Sequence, residues 1–292
     1  MDHFYLGEKM LALLPLQTVK IFFSVLTAKQ YIDERVKANC GQDNLGRLNI
    51  SNTGGVIKLS ETIVPQNFGY KIKSISSSDP SIGVSDTPSV DIIPVGANSK
   101  TMSIGTVTAS TILTVTLELP DGTTTDIKLS PTAATGISTF SIGSSAEATA
   151  QNITAALTSQ IKYHSQVELT GAVSQQASLE FFKGSLNHPP RRVKGTPPET
   201  ATEFETDPSM ITGSTLIWYT GTDDDSDPRM DKSSQVTDHV ITGTGARANE
   251  IGFVETLAYT ALMALGNFSE ADQNVAADQF SDLRDRTRKG LG

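Results

Sequence analysis

The chain has 292 residues, which is long enough for one large domain or two modest ones. Its formal net charge of −9 argues against a nucleic-acid-binding surface as its main feature. Aromatic residues make up only 6% of the sequence, which favours β-rich structure with polar surfaces over a large aromatic-lined enzyme core. The single cysteine, Cys40, excludes a disulfide within the chain.

The N-terminal segment Met1–Lys37 is predicted to be helical, with an offset at Pro15. Within it, Met10–Leu26 is too short and too polar to span a bilayer. Asp2 and Glu8 do not fit the positively charged start of a signal peptide. We interpret the segment as a helix of the core, with a partner-binding helix as the alternative.

The middle of the chain carries β-prone runs that are separated by turn residues. Ile112–Leu119 and Thr123–Leu129 flank Pro120-Asp121-Gly122, where proline fixes φ and glycine accepts a left-handed conformation. This pattern predicts a β-hairpin. A strand, a helix and a closing hairpin are predicted after it: Ile137–Ile142, Ser145–Lys162, and Val167–Val173 with Ser178–Phe182.

The predicted order β-β-β-α-β-β is that of a compact α+β module, which we place at residues 100–186. The following residues, 187–214, are rich in proline and are predicted to be an extended linker or arm. Residues 1–99 and 215–292 would form a helical base around the insertion. The predicted fold class is therefore α+β, in which an N-terminal helix and a C-terminal helical hairpin form the base and a β-rich module is inserted.

The C-terminal segment Arg247–Lys289 has the clearest periodicity in the chain. Apolar residues recur at three- and four-residue steps through its first half: Ile251, Val254, Leu257, Ala258, Ala261, Leu262 and Leu265. Gly266 interrupts the pattern, and Ser269 with Asp272 fits an N-cap pair for a second helix. The segment therefore predicts an antiparallel helical hairpin with a short connection. Just before it, Val236–Gly245 is predicted to be a strand.

The densest acidic cluster of the chain lies before this hairpin. It consists of Asp223, Asp224, Asp225, Asp227 and Asp231. Its alternating carboxylates resemble the start of a calcium loop, but Pro228 occupies the position that needs glycine and Ser234 the position that needs a bidentate glutamate. A solvated acidic loop is favoured over a weak cation site.

Other motifs of catalysis and cofactor binding are missing from the sequence. The histidines lack zinc-site spacing, and the chain contains neither a phosphate loop nor a nucleophile-elbow motif. The sequence therefore indicates no catalytic residue, no metal ligand and no cofactor. Its composition and spacing favour a structural or assembly protein over an enzyme.

Two groups of basic residues have more than one interpretation. Arg191, Arg192 and Lys194 form a small basic patch, and the net negative charge favours contact with a neighbouring subunit over contact with nucleic acid. Basic residues near the C-terminus fit the last turn of a helix, where they interact favourably with the helix dipole. They equally fit a tail that docks on a partner ring, formed by Arg284, Arg286, Arg288, Lys289 and Leu291.

Several segments together resemble virion proteins of tailed bacteriophages. The run Ser144–Leu157 resembles the helix that follows a β-hairpin in many phage tail and neck modules, and the hairpin with Leu119–Gly122 is similar in style. The helical N-terminus, the β-rich middle and the helical segment Phe253–Arg288 resemble, in their order, the head-to-tail adaptor proteins of short-tailed phages. The inserted module is larger than a minimal adaptor needs, which leaves open a collar or other tail protein.

This resemblance implies a non-enzymatic structural protein of the virion, assembled in the host cytoplasm and located at the head-tail junction. It implies a homo-oligomeric ring, a dodecamer in the family, bound to the portal protein and to tail nozzle or tail fibre proteins. DNA would pass through the channel without sequence-specific binding, and no membrane is involved. The residues expected to pack neighbouring helices in the ring are Ile251, Val254, Leu257, Leu262 and Leu265.

Two other functions are weighed against the adaptor ring. One is a decoration or host-attachment protein whose β module binds a surface glycan. The other is a polysaccharide-degrading tail enzyme, which is less favoured because the sequence shows no convincing pair of carboxylates. Location in the particle separates the first two, since an adaptor occupies one vertex and a decoration protein covers the shell.

Overall fold

The structure is a computed structural model, and it describes residues 16–86, 94, 96–132, 138–265 and 272–291. Side chains are described from residue 28 onward, apart from those at positions 210 and 214. Helices lie at both ends of the described chain and strands dominate its middle. This mixture confirms the predicted α+β fold class.

The helical elements begin and end as follows. The α-helices are α1 (Leu16–Cys40), α2 (Ala146–His164), α3 (Thr170–Lys183), α4 (Pro208–Ser214), α5 (Ile251–Leu265) and α6 (Gln273–Leu291). A π-helix, Ser165–Leu169, joins α2 to α3. Helix α1 confirms the second part of the predicted N-terminal helix, whereas Pro15 and the start of Met10–Leu26 lie outside the described residues. Within the described ranges, no helix is both long and apolar enough to cross a membrane.

The strands form two four-stranded sheets and two small hairpins among the described residues. They are β1 (Leu48–Thr53), β2 (Val56–Glu61), β3 (Lys71–Ser77), β4 (Ile82–Ser85), β5 (Ser99–Ile104), β6 (Leu113–Glu118), β7 (Thr124–Pro131), β8 (Ser138–Phe140), β9 (Val193–Lys194), β10 (Glu203–Phe204), β11 (Ser233–Thr237) and β12 (Val240–Gly243). The first sheet has the strand order β1-β2-β5-β4, and the second has the order β3-β6-β7-β8. The hairpins are β9 with β10 and β11 with β12.

The β6–β7 hairpin confirms the prediction made from alternation and turn residues. Leu113, Val115 and Leu117 are buried on one face of β6, and the residues between them are partly exposed. Gly122 has a φ of 81° at the turn, in the left-handed region that favours glycine. Strand β8 pairs with β7 in parallel, which confirms a strand within Ile137–Ile142.

Helix α2 packs against both sheets and closes the largest core. Ile153, Leu157 and Ile161 are fully buried at the four-residue spacing of one helix face. Ser145 caps the helix, because its hydroxyl accepts a hydrogen bond of 3.1 Å from the amide of Ala148. The predicted helix is confirmed at its start and continues two residues beyond its predicted end.

The predicted closing hairpin, Val167–Val173 with Ser178–Phe182, is wrong, because these residues form the π-helix and α3. The apolar side chains of the first segment are enclosed from several sides, so their alternation in sequence does not reflect the two faces of a strand. The wide turn of the π-helix leaves backbone carbonyls that face polar side chains of other helices. The carbonyl of Ser165 faces the Cys40 thiol at 3.8 Å, and the carbonyl of Gln166 accepts a 2.7 Å hydrogen bond from Gln279.

The predicted order β-β-β-α-β-β and the boundary near Lys100 are also contradicted by the strand pairing. Strand β5 pairs with β2, and β6 pairs with β3, so both sheets join residues from the two sides of the boundary. The described residues between positions 100 and 186 therefore form no sheet of their own. Pairing between strands that are distant in sequence depends on the packed core, which local turn and alternation signals do not reveal.

The proline-rich segment 187–214 packs on the rest of the chain, which corrects its prediction as an unpacked linker. Ala201 is buried in a cluster with Ala38 of α1, Ile63 and Phe68. The prolines begin short helices, for example the 3-10 helix Pro198–Thr200, where the missing N–H costs nothing. The segment is an irregular but packed layer over α1.

The helices form a layer in which α3 is central. Helix α1 runs antiparallel to α3. The end of α1 lies beside the start of α3, where Cys40 contacts Thr170, and Tyr31 lies beside the end of α3, where its ring centre is 5.7 Å from that of Phe181. On its other side α3 holds α5, where Ser178 donates a 2.7 Å hydrogen bond to the carbonyl of Ala258. The α5–α6 pair completes the layer.

The predicted C-terminal helical hairpin is confirmed as an antiparallel pair. Leu262 packs with Leu283, whereas Tyr259 lies against Gly290, so the two helices run in opposite directions. The predicted cap residue Ser269 lies outside the described residues. Helix α6 begins after Asp272, whose carboxylate accepts a 2.9 Å hydrogen bond from the amide of Asn274.

Candidate assembly surface

The basic residues of the proline-rich segment form ion pairs within their own chain. Arg191 pairs with Glu180, and its guanidinium lies 4.6 Å from the ring centre of Phe204. Two further pairs hold the segment: Arg192 with Glu34 at 2.6 Å and Lys194 with Glu203 at 2.7 Å. These contacts attach the segment to α1 and α3 and to its own hairpin. The expected contact with a neighbouring subunit stays a prediction.

The ion pair of Arg191 borders a buried arginine that sequence reasoning missed. The side chain of Arg35 is 2% exposed and donates a 2.7 Å hydrogen bond to Glu180. The hydroxyl of Tyr31 donates at 2.8 Å to the carbonyl of Arg191, and burial raises the pKa of this tyrosine. The signal in the sequence was the polar stripe of Tyr31, Arg35 and Asn39 at four-residue spacing on an otherwise core-facing helix.

The residues of the predicted docking tail lie in two different environments, since one is largely buried and the others are exposed. Arg286 is largely buried, and its guanidinium lies 2.7 Å from both Asp121 and Asp282. These two carboxylates outweigh the effect of burial and raise the pKa of Arg286. Arg286 therefore joins α6 to the β6–β7 turn, which corrects its assignment to a free tail.

The remaining predicted tail residues lie on the last turns of α6. Arg284, Arg288, Lys289 and Leu291 are exposed. Gly290 is packed, because a Cβ there would lie 1.9 Å from the ring of Tyr259. The described C-terminus is thus a docked helix that carries an exposed basic last turn.

The acidic loop, Asp223–Asp231, is organised around an arginine. The buried guanidinium of Arg247 binds both carboxylate oxygens of Asp231, at 2.5 and 2.7 Å, and one oxygen of Asp224 at 2.9 Å. The hydrogen bonds from Arg247 lower the pKa of Asp231 below its usual range. Among the residues that the structure describes, no group of acidic, histidine or cysteine side chains is arranged to hold a metal ion.

The acidic loop leads directly into a projecting hairpin, here named the arm (Ser233–Gly243), which consists of β11 and β12. The predicted single strand Val236–Gly245 is wrong, because a turn at Asp238 and His239 divides it. Every residue from Ser233 to Thr242 is exposed. The exposed apolar side chains of the arm are Val236, Val240 and Ile241. A lone two-stranded hairpin is marginally stable in water, so these residues favour burial against a partner.

Helix α5 presents two faces, and the predicted ring-packing residues are divided between them. Val254 and Leu262 are buried within the chain, and Leu265 is partly buried beside α1. Phe253 and Leu257, which are four residues apart on the opposite side of the helix, are exposed, and these two residues are named the outer face. Ile251 is also exposed, but it is the first residue of the helix and lies on the side of Val254. The helix is apolar nearly all round, with Glu255 as its one charged residue. Such a helix is normally buried on every side.

A groove of about 530 Å³ lies between α1, the π-helix and the α5–α6 hairpin. Its apolar lining includes Ile32, Val36, Leu262 and Leu283, and the buried Cys40 also belongs to the lining. Burial raises the pKa of the Cys40 thiol, which makes a poor nucleophile at neutral pH. The groove therefore offers shape and apolar surface without an activated group.

Comparisons of this chain with models of known protein families, with curated proteins and with solved structures found no match. The features that bear on function are therefore those of the chain itself. They are the arm, the outer face of α5, and the basic last turn of α6.

Arg247→Gln is expected to loosen the acidic loop and the arm, because glutamine cannot bridge Asp224 and Asp231. Amide hydrogen exchange should become faster between residues 223 and 245 and stay unchanged in α2. The matched control is Arg284→Gln, which removes an exposed arginine paired only with its neighbour Asp285 in the described structure. Equal exchange rates in Arg247→Gln and wild type would contradict the role given to Arg247.

Proposed function

We propose that the chain is a non-enzymatic structural protein of a bacteriophage particle. It forms a ring between the portal and the tail and keeps the DNA channel continuous. The observation that carries the proposal is the coexistence of two exposed apolar surfaces, the arm and the outer face of α5, on a folded and acidic chain. Contiguous apolar surface on a soluble protein is typical of a subunit that is buried in an assembly.

The division of the fold into a helical layer and two sheets supports the same proposal. The helices α1, α3, α5 and α6 pack on one another, while the sheets and α2 form a second layer. This arrangement agrees with the order of elements that resembles phage adaptors, in which helices build the ring and the β portion projects. The net charge of −9 suits a channel that repels DNA rather than binding it.

Immunogold labelling of native particles tests the location. An adaptor predicts label at a single vertex, at the junction of head and tail. Label spread over the shell would overturn the adaptor and favour the decoration protein, and label at the distal tail would favour host attachment. Co-expression with the portal protein from the same genome adds a direct measurement, since class averages should show an added ring beneath the portal.

A further inference from the structure

We propose that the arm and acidic loop of one copy bind the outer face of α5 and the basic last turn of α6 on a second copy. This inference rests on the proposed function, because the second copy is the next subunit of the ring. It specifies which two surfaces meet. The contact is heterologous, since each copy contributes its arm to one neighbour and its outer face to the other.

The apolar part of the contact follows from exposure. Phe253 is 53% exposed and Leu257 is 38% exposed on the outer face, and Ile241 is 72% exposed on the arm. Exposed small residues lie along the same side of α5: Gly252, Thr256 and Thr260. A Cβ built on Gly252 would meet no atom within 4 Å. The two-stranded arm can therefore approach the helix closely.

The polar part of the contact follows from charge. Asp225 and Asp227 are exposed at the base of the arm, and Asp238 is exposed at its tip. Arg288 is 79% exposed, and Lys289 beside it is also exposed. Gly290 packs against Tyr259, so the last turn of α6, which carries these two residues, lies beside α5. One surface is thus apolar and acidic, and the other is apolar and basic, which is the complementarity that selects a partner.

The arm of the same chain does not cover this outer face. Its base is fixed by Arg229, which donates a 2.6 Å hydrogen bond to the carbonyl of Gly245 and pairs with Glu250 at 2.6 Å. Arg247 holds the same base from the other side. The arm stays exposed throughout, and so does the outer face that follows it in sequence. A second copy supplies a partner for the arm, and a third supplies a partner for the outer face. In a closed ring both surfaces of every copy are therefore buried.

The test uses two variants of the full chain. The arm variant carries Val236→Glu and Ile241→Glu, and the face variant carries Phe253→Glu and Leu257→Glu. Light scattering coupled to gel filtration should show an oligomer for wild type and a monomer for each variant alone at the same concentration. An equimolar mixture should give a 1:1 heterodimer, because the face variant retains an intact arm and the arm variant retains an intact face. Circular dichroism verifies that both variants are folded.

A charge-reversal series tests the polar part independently. Arg288→Glu with Lys289→Glu should weaken self-association at least tenfold, and adding Asp225→Lys with Asp238→Lys should restore most of it. The matched control, Lys128→Glu with Lys162→Glu, makes the same change in net charge at exposed positions on β7 and α2 and should leave association unchanged. Equal weakening by the control would show a net-charge effect and would overturn the assigned contact.

The outcomes separate this contact from the proposed function. A wild-type chain that is monomeric at 100 micromolar, or an arm variant that associates as wild type does, would overturn the contact. A wild-type dimer that requires both surfaces would support the contact and overturn the ring. Label over the capsid shell in native particles would overturn the adaptor function while the heterodimer measurement still supports the contact.

Discussion

Glu180→Gln is expected to lower the free energy of unfolding by about 3 kcal/mol, which is the usual scale for removing one partner of a buried ion pair. Arg35 is almost fully buried and lies 2.7 Å from this carboxylate. Glutamine keeps the shape and one acceptor but leaves the buried guanidinium without a countercharge. The stacking of Arg35 on Phe204, at 4.6 Å, cannot replace a full negative charge. Urea unfolding of the purified chain measures the loss.

The same substitution should change the pH dependence of stability. Burial alone would raise the pKa of Glu180, but Arg35 and Arg191 outweigh it and hold the pKa below its usual value. A carboxyl whose pKa is lower in the folded state stabilises the fold above the unfolded pKa of about 4.3. That contribution is lost as the pH falls through the folded pKa. The difference in unfolding free energy between wild type and Glu180→Gln should therefore be largest at pH 7 and should become smaller in acid.

Glu203→Gln is the matched control for this experiment. Its carboxylate pairs with Lys194 at 2.7 Å, but both side chains are about half exposed. Exposed pairs are screened by solvent and add little to stability, so the control should unfold close to wild type. If both variants lost the same stability, the cluster around Arg35 would not be the connection between α1 and α3 that its geometry indicates.

The elements that sequence reasoning predicted correctly are those whose signals are local. Ser145 and the spacing of Ile153, Leu157 and Ile161 define α2 within nineteen residues. The turn at Pro120–Gly122 defines the β6–β7 hairpin in the same way. Capping and turn chemistry act over a few residues, so the sequence alone contains the necessary information.

The region after α2 was mispredicted because its burial is not local. Val167, Leu169 and Val173 are all buried, with contributions from α1, the sheets and α6. When every side of a short apolar run is enclosed, its sequence has no polar face, and periodicity cannot distinguish a helix from a strand. Gly171 lies in the first turn of α3. In the structure it allows α6 to approach, since a Cβ there would lie 1.9 Å from a carboxylate oxygen of Asp282.

Contacts between residues distant in sequence also limited the prediction of the charged residues in the candidate site. The acidic cluster was interpreted as a solvated loop in preference to a cation site, and the group that organises it is Arg247, sixteen residues beyond Asp231. Nothing near the aspartates in sequence identifies that arginine. The residues predicted to pack helices in the ring also differ in environment, because Val254 and Leu257 belong to one apolar pattern while Val254 is buried in the core and Leu257 is exposed.

Arg286→Met is the second substitution with a large expected effect, a loss of about 2 kcal/mol of unfolding free energy. The guanidinium joins Asp121 of the β6–β7 turn to Asp282 of α6, with both distances at 2.7 Å. Methionine retains much of the apolar volume, so the loss reports the missing charge. It leaves two partly buried carboxylates near Glu168 without their countercharge.

Arg288→Met is the control that separates a structural arginine from a docking arginine. It lies two residues further along the same helix, and its side chain is 79% exposed. Its substitution should leave the melting temperature within about 1 °C, since exposed charges contribute little to folding. Each variant is measured twice, by thermal unfolding of the dilute chain and by self-association at micromolar concentration.

A free tail that binds a partner and a helix packed on its own chain predict different results for Arg286→Met and Arg288→Met. A free tail would give two variants that melt like wild type and both bind a partner less tightly. The geometry of α6 instead predicts that Arg286→Met unfolds at a lower temperature, with faster amide exchange along α6. Arg288→Met should melt normally and associate more weakly, because its exposed charge belongs to the proposed contact between copies. Normal melting of Arg286→Met would show that the contact between α6 and the β6–β7 turn does not stabilise the fold.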